Sequence, residues 1–186
     1  MYKNELNFGY DAWYQEDLRH IQRHVILNLL NQYNFDIIFD IGCGKGLLTH
    51  LLKKKNNTVI GIDISKTAIK QAKTRYPDIK WLNIDVSDKN KLIKVYKKYK
   101  NNKIKKWKVL TLYIDILSYL KNWKELIEIS SNFSGYILVS LYIPKDPIGF
   151  VKNFEELESV ILNFYSLEEI ICFKNLETII YFGKKK

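Results

Sequence analysis

Three glycines fall within five residues, Gly42-Cys43-Gly44-Lys45-Gly46, directly after the apolar run Ile37 to Ile41 and just before a helix-like stretch from Leu47 to Lys54. Glycine accepts backbone angles closed to other residues, so the segment reads as a tight strand-to-helix turn. Such a turn lets main-chain N–H groups and a helix N-terminus come close to a bound ligand. The glycines therefore fix both a local geometry and the place to look for chemistry.

The rest of the chain repeats the same unit. Thr58 to Ile64 reads as a second strand. Ser65 is a good N-cap for a helix through Arg75, with Pro77 just beyond it, and Ile79 to Ile84 reads as a third strand. Asp88 can cap a lysine-rich helix, Trp107 to Ile114 is a fourth strand, Asn122 to Phe133 a helix, and Tyr136 to Ile143 a fifth strand. Phe150 to Phe164 reads as helix, and the tail as a hairpin of Leu167 to Phe173 and Thr178 to Phe182. Ahead of the sheet, Ala12 to Asn31 places Trp13, Leu18, Ile21, Val25, Ile26 and Leu29 at helical spacing. The expected architecture is α/β: a helical cap over residues 1–35 and one doubly wound, mostly parallel seven-stranded sheet over 36–186 with an antiparallel C-terminal hairpin. A length of 186 residues suits one domain. In open sheets of this kind the ligand lies beyond the carboxyl ends of the strands, where strand order reverses.

Spacing discriminates between ligands for the glycine turn. A dinucleotide fingerprint needs GxGxxG, but from Gly42 the third position falls on Leu47. A Walker loop fails because Gly44-Lys45 is followed by Gly46 instead of Ser or Thr, and Phe39 stands where its first glycine belongs. Asp40-Ile41-Gly42-Cys43-Gly44-Lys45-Gly46 resembles instead the DxGxGxG motif of class I S-adenosylmethionine-dependent methyltransferases, and the order of elements is similar from residue 12 to 183.

That resemblance implies a set of site residues. Asp40, Gly42, Cys43, Gly44 and Gly46 would form the cofactor loop. Asp63, 17 residues after Gly46 at the end of the second strand, would hold the ribose diol, with Ile64 beside it; one carboxylate can accept from both hydroxyls. Asp85 and Val86, after the third strand, match the adenine contacts. Asp115-Ile116-Leu117-Ser118-Tyr119-Leu120 is similar to the family's acid-x-Leu-Glu-His-Leu segment, with Tyr119 in the place of the histidine. Trp13-Tyr14 and Arg19 resemble the cap residues of nodulation-factor N-methyltransferase-like members, which cover the cofactor and hold its carboxylate.

Methyl transfer from a sulfonium is an in-line displacement with a good leaving group. Holding the reacting atoms collinear can by itself lower the barrier by ~7–11 kcal/mol. A base is needed only where the acceptor must lose a proton, and Tyr119, Asp115 and His20 are the candidates. Tyr142 and Lys145 are the candidate acceptor-side contacts. Leu112-Tyr113-Ile114-Asp115 replaces the Asn/Asp-Pro-Pro-Tyr loop of members that methylate planar amino groups. Cys43 and Cys172 read as packing residues, not nucleophiles, and two cysteines neither build a disulfide framework nor a zinc site. His20 and His24 share a helical spacing without a third ligand, and no metal is expected.

Charge supplies the competing reading. The net charge of +10 is the sum of −2 over residues 1–50, +14 over 51–108 and −2 over 109–186, with ten lysines between Lys89 and Lys108. Such a stretch is either a solvated helix face or a binder of phosphates. The sequence thus points first to methylation of N or O on a small molecule or sugar-like metabolite. An RNA methyltransferase using the 89–108 stretch and a cofactor-binding partner protein without turnover are the alternatives. Neither a leader-like apolar run at the amino terminus nor a span long enough for a bilayer is visible, so a cytoplasmic protein is expected.

Overall fold

The computed structural model describes residues 19–100 and 105–186. Seven strands form one sheet in the order β3-β2-β1-β4-β5-β7-β6. These are β1 Ile37–Ile41, β2 Thr58–Asp63, β3 Lys80–Asn83, β4 Val109–Ile114, β5 Tyr136–Tyr142, β6 Tyr165–Phe173 and β7 Thr178–Lys185. The first five pair in parallel, while β7 runs antiparallel to both β5 and β6. The α/β doubly wound sheet with an antiparallel closing hairpin is therefore present. Strand order reverses between β1 and β4, which opens a crevice at their carboxyl ends.

Among the described residues six helices cover the sheet: α1 Ile21–Asn31, α2 Leu47–Leu51, α3 Lys66–Arg75, α4 Lys89–Tyr99, α5 Trp123–Phe133 and α6 Phe154–Leu162. The central strands are apolar on both faces because both are covered. On one side Phe39, Ile41 and Val139 pack with Tyr96, Leu126 and Leu157. On the other, Ile38, Leu110 and Leu138 pack with Ile26, Leu30 and Ile69. Successive residues of β1 thus enter opposite cores, as a period of two requires.

Several boundaries differ from the sequence expectation for identifiable reasons. The helix after the glycines stops at Leu51, not Lys54, because Asn57 takes over the free backbone groups: its amide donates to Leu52 O at 2.9 Å and its carbonyl accepts from Lys54 N at 2.8 Å. The helix expected from Phe150 begins only at Phe154, since Asn153 is its cap, accepting from Glu156 N at 2.7 Å, while the Glu156 carboxylate accepts from Lys152 N at 3.0 Å. Lys106–Lys108 is a single 3-10 turn, and the fourth strand starts after it at Val109. The closing hairpin is longer than expected, Tyr165–Phe173 with Thr178–Lys185, and a register shift between Leu167 and Glu169 bends its outer strand. Of the long first helix expected from Ala12, the described part is Ile21–Asn31, and residues 12–18 lie outside the described residues.

Caps at Ser65 and Asp88 match the expectation. Ser65 Oγ accepts from Ala68 N, and Asp88 accepts from Asn90 N and Lys91 N. No helix among the described residues is long and apolar enough to cross a membrane.

Candidate active site

The glycine turn is built for close packing. Gly42, Gly44 and Gly46 have φ of 81°, 54° and 85°, in the left-handed region that favours glycine. A Cβ on Gly46 would stand 2.2 Å from the Trp81 ring, and one on Gly61, in the neighbouring strand, 2.3 Å from the same ring. Trp81 is locked by its indole N–H donating to Tyr76 O at 2.8 Å. The tryptophan therefore underlies the turn and excludes side chains from it. Sequence reasoning missed both Trp81 and Gly61; the signal available was an isolated glycine inside a strand, which marks a close approach.

The turn's amides do not form the open cradle that the sequence suggested. Gly42 N and Cys43 N both donate to Ile62 O, at 2.8 and 3.1 Å, Gly46 N donates to Cys43 O at 3.0 Å, and Gly44 N donates to Asp63 Oδ2 at 2.9 Å. The first two and the Gly44 N–H tie β1's exit to β2 and Asp63, and the Gly46 N–H closes the turn on itself. What the glycines provide is an unobstructed surface at the strand ends.

Asp63 is the pivot. Its Oδ2 accepts from Gly44 N and its Oδ1 from Ser65 N at 2.7 Å, so the carboxylate plane is fixed while each oxygen keeps a lone pair. Burial pushes its pKa up, opposed by the Ser65 and Gly44 amides. Asp40 lies deeper, 3% exposed, and accepts from Thr49 Oγ at 2.6 Å; burial raises its pKa to about 6, against the Thr49 bond and with a small push from Asp63. Cys43 is half-buried, and burial, reinforced by Asp40 and Asp63, holds its thiol well above its ordinary range. It is not poised as a nucleophile. Cys172 is exposed, which corrects its assignment as a packing residue.

A cavity of about 330 Å³ opens at this point. Asp40, Gly42, Cys43, Gly46, Asp63 and Ile64 line one side of it. Gln22 and Arg23 of α1, Asp115 and Ile116 after β4, and Tyr119 line the other. Asp115 is held at φ 54°, a strained angle for a residue with a side chain. Its Oδ2 accepts from the Gln22 amide at 3.3 Å, and the same amide donates to Ser140 Oγ at 2.6 Å. Burial raises the Asp115 pKa, and the Gln22 amide, the Tyr142 N–H, Arg23 and His20 act in the opposite direction. Burial, and then the Asp115 charge, raise the Tyr119 phenol. Asp115 thus acts on Tyr119 within the cleft wall, and His20, which is not among the lining residues, acts on Asp115 by its charge.

Other expected residues stand elsewhere. Asp85 accepts from Ser87 N at 2.9 Å and from Ser87 Oγ at 2.6 Å, shaping the turn before α4, while Val86 is buried in the core; neither lines the cleft. Arg19 is not among the lining residues, whereas Arg23, one helical turn on, is. Tyr14, like Trp13, lies outside the described residues. The Tyr142 hydroxyl donates to Glu177 at 3.3 Å, and Lys145 lines a separate cavity with Lys152 and Glu177. His50 stacks on Tyr76 with ring centroids 4.3 Å apart. Among the described residues, no group of three metal-ligating side chains comes together.

With this geometry in view, comparison with known proteins is direct. The sequence of residues 38–95 matches the methyltransferase domain family model. "Putative methyltransferase 235L" of Invertebrate iridescent virus 6 is 32% identical over 76 residues, 40% of this chain; the match spans 29% of that protein's length. Among solved structures, the N-methyltransferase NodS from Bradyrhizobium japonicum WM9, in complex with S-adenosyl-L-homocysteine, superimposes over 99% of this chain and 97% of its own, with a TM-score of 0.72 at 15% identity. Magnesium protoporphyrin IX methyltransferase from Synechocystis PCC 6803 with bound S-adenosylmethionine superimposes over 95% and 86%, with a TM-score of 0.66 at 15% identity. The fold is the Rossmann-like α/β fold of these structures, a parallel core closed by antiparallel C-terminal strands. The segment matched by the methyltransferase domain model contains Asp40, the glycine turn and Asp63.

Proposed function

We propose that this protein binds S-adenosylmethionine in the cleft between β1 and β4 and transfers its methyl group to a nitrogen or oxygen of a small molecule or sugar-like metabolite. The observation that carries this reading is Asp63: a buried carboxylate, fixed by two main-chain N–H groups, with lone pairs left over at the lip of a 330 Å³ cleft. That is the donor–acceptor arrangement a ribose diol needs. Gly42 and Gly46 line that cleft, and Ile116 and Trp81 would deny a side chain at either position, so main chain forms this part of the wall that a nucleoside would meet.

When bound, the cofactor supplies an electrophilic methyl on a positively charged sulfur. The chain's contribution is positioning. Ile64 and Leu48 offer apolar walls, and Arg23 brings a cation to the cleft. On the acceptor side Asp115 is held ionisable by Gln22 and flanked by His20 and Tyr119. This group can orient a donor N–H or O–H and take its proton, with His20, Asp115 and Tyr119 as the candidate bases. Asp85 and Val86 remain the proposed contacts to the adenine and Arg19 and Tyr14 the proposed cover, as the resemblance implies. Tyr142 and Lys145, at the adjoining strand end, remain the outer acceptor-side candidates.

Mass spectrometry of the protein as purified, followed by calorimetric titration with S-adenosylmethionine and an acceptor screen across amines, hydroxy compounds and RNA, tests this. Retained or titratable nucleoside with turnover on a small amine or alcohol is the expected result. Binding with no turnover on any acceptor would make the chain a cofactor-binding partner instead, and no binding at all would remove the reading.

A further inference from the structure

The charges of this chain are sorted between the two ends of the sheet. At the cleft end, the strand-to-helix connections with their first helical turns and the β6–β7 turn hold nine basic and eight acidic residues, and Asp40 and Asp63 add two more acids from β1 and β2. At the opposite end, the last helical turns, the described connections into the strands, Lys80 and the tail of β7 hold fifteen basic residues and two acidic ones, Asp36 and Asp78, with Glu168 and Glu169 of β6 near enough to Tyr33 to raise its phenol beyond what burial does. Four of the fifteen, Lys73, Arg75, Lys97 and Lys98, sit in last helical turns, where the helix dipole already favours cations. Eleven remain without that explanation.

Main-chain hydrogen bonds set these lysines along one edge. Gly135 N donates to Lys106 O and Lys185 N donates to Gly135 O, each at 2.8 Å, so β7's tail and the entry to β4 meet at the start of β5. Asp36 N donates to Lys108 O and Thr58 N to Asp36 O, again at 2.8 Å, which carries the edge on to β2, where Lys53, Lys54 and Lys55 lead in. From β7 across β5, β4 and β1 to β2 is four strand spacings, about 19 Å. The crowding is real: the Lys106 ammonium is held below its ordinary range by burial and then by the charges of Lys185 and Lys100.

We propose that this edge binds a nucleic acid through its phosphate backbone, leaving the cleft at the other end of the sheet open. The composition chooses between polyanions. Protein interfaces are poor in lysine and rich in aromatic anchors. A membrane-binding face inserts apolar side chains beside its cations. Among the described residues at this edge the exposed large hydrophobics are Leu51 and Leu162, each the last residue of a helix and only 39% and 37% exposed, and asparagines such as Asn34 and Asn163 are further exposed neighbours of the lysines. Many lysines and asparagines with so little apolar surface among them suit phosphate positioning. The proposal does not depend on which reaction the cleft performs.

Fluorescence anisotropy with a labelled, mixed-sequence 20-nucleotide RNA, and a DNA of the same length, tests it with full-length protein. Micromolar binding at 50 mM salt is expected. With about four phosphates neutralised, affinity for a single strand should fall about 50-fold on going to 200 mM. Combined Lys105→Glu, Lys106→Glu and Lys185→Glu should lower affinity at least tenfold at 50 mM salt, while the charge-matched Lys66→Glu, Lys121→Glu and Lys174→Glu at the cleft end should cost less than threefold. If the first combination does not fold by circular dichroism, Lys53→Ser, Lys54→Ser and Lys55→Ser read the same edge, with a loss of threefold or more expected. Equal losses from both ends, no binding at 50 mM salt, or binding only to phosphatidylserine vesicles would each overturn the proposal.

Discussion

The two walls of the cleft are built by different means. On the β1–β2 wall the lining residues lie within 25 residues, Asp40 to Ile64, and are fixed largely by backbone: three left-handed glycines and the Gly44 and Ser65 N–H groups on Asp63, with Trp81 packed against Gly46 and Gly61. On the β4–β5 wall the geometry is held by side chains far apart in sequence. Gln22 reaches Asp115 across 93 residues and Ser140 across 118, and Asp115 adopts a left-handed angle with no glycine to ease it. A wall made by backbone is intolerant of any added atom. One made by convergent side chains should yield in smaller steps.

Gly46→Ala is the severest way to break that contrast. The new methyl would meet Trp81 at 2.2 Å while the backbone stays at φ 85°. Strain from the angle and from overpacking together should destabilise the fold by about 2–5 kcal/mol. Urea unfolding measures it directly. Gly61→Ala, with the clash but no left-handed angle, should fall at the lower end of that range. Wild-type stability for Gly46→Ala would mean that Trp81 moves freely and the wall is not built by backbone.

Asp40→Asn tests how much that wall costs to maintain. The Asp40 pKa is raised from 3.8 to about 6, so its ionised form is disfavoured in the folded chain. As pH falls from about 6 to about 4 the folded state takes up a proton that the unfolded chain does not yet bind, and folding gains stability. Below about pH 4 both states are protonated and the gain is complete. The amide should therefore be more stable than wild type at pH 7, by up to about 3 kcal/mol, with the advantage gone near pH 4. A constant difference across that range in denaturant midpoints would show that Asp40 is not the titrating group.

Asp63→Ala should weaken S-adenosylmethionine binding tenfold or more, as removal of charged hydrogen bonds worth about 1.5–3 kcal/mol implies. Calorimetry on the folded variant reads this, and unchanged affinity would take Asp63 out of the cofactor site.

The contrast also explains what could be read before the structure. The glycine turn, Asp63 and the strand–helix alternation were legible because a backbone requirement can be met by few residue types, which leaves a spaced pattern. Caps at Ser65 and Asp88 were legible for the same reason. Gln22, Arg23 and Ser140 left no pattern, since a glutamine on a helix and a serine on a strand look like any other polar positions until the sheet brings them together. Arg19 is expected from the resemblance alone, whereas Arg23, one helical turn on, is the arginine that lines the cleft. The expectation that the turn's amides were free failed for a related reason: Gly42, Cys43 and Gly44 find acceptors on β2, a partner that local spacing does not reveal.

Gln22→Ala gives the smallest effect and bears most directly on the second wall. The amide donates to Asp115 and so favours its carboxylate; without it the Asp115 pKa rises further. Ser140 Oγ loses its partner at the same time, although the Asp115 main chain stays tied to Ser140 O at 2.8 Å. A net loss of about 0.5–1.5 kcal/mol for the bond corresponds to roughly a two- to tenfold drop in turnover at neutral pH. If Asp115 acts as a carboxylate on the acceptor, the acid limb of the pH–activity profile moves to higher pH, so the deficit grows below neutrality and closes above it. The same drop at every pH would assign Gln22 to anchoring α1 over the cleft. Only the moving limb makes it a positioning residue for Asp115, with a wall that, unlike the glycine turn, can be loosened by degrees.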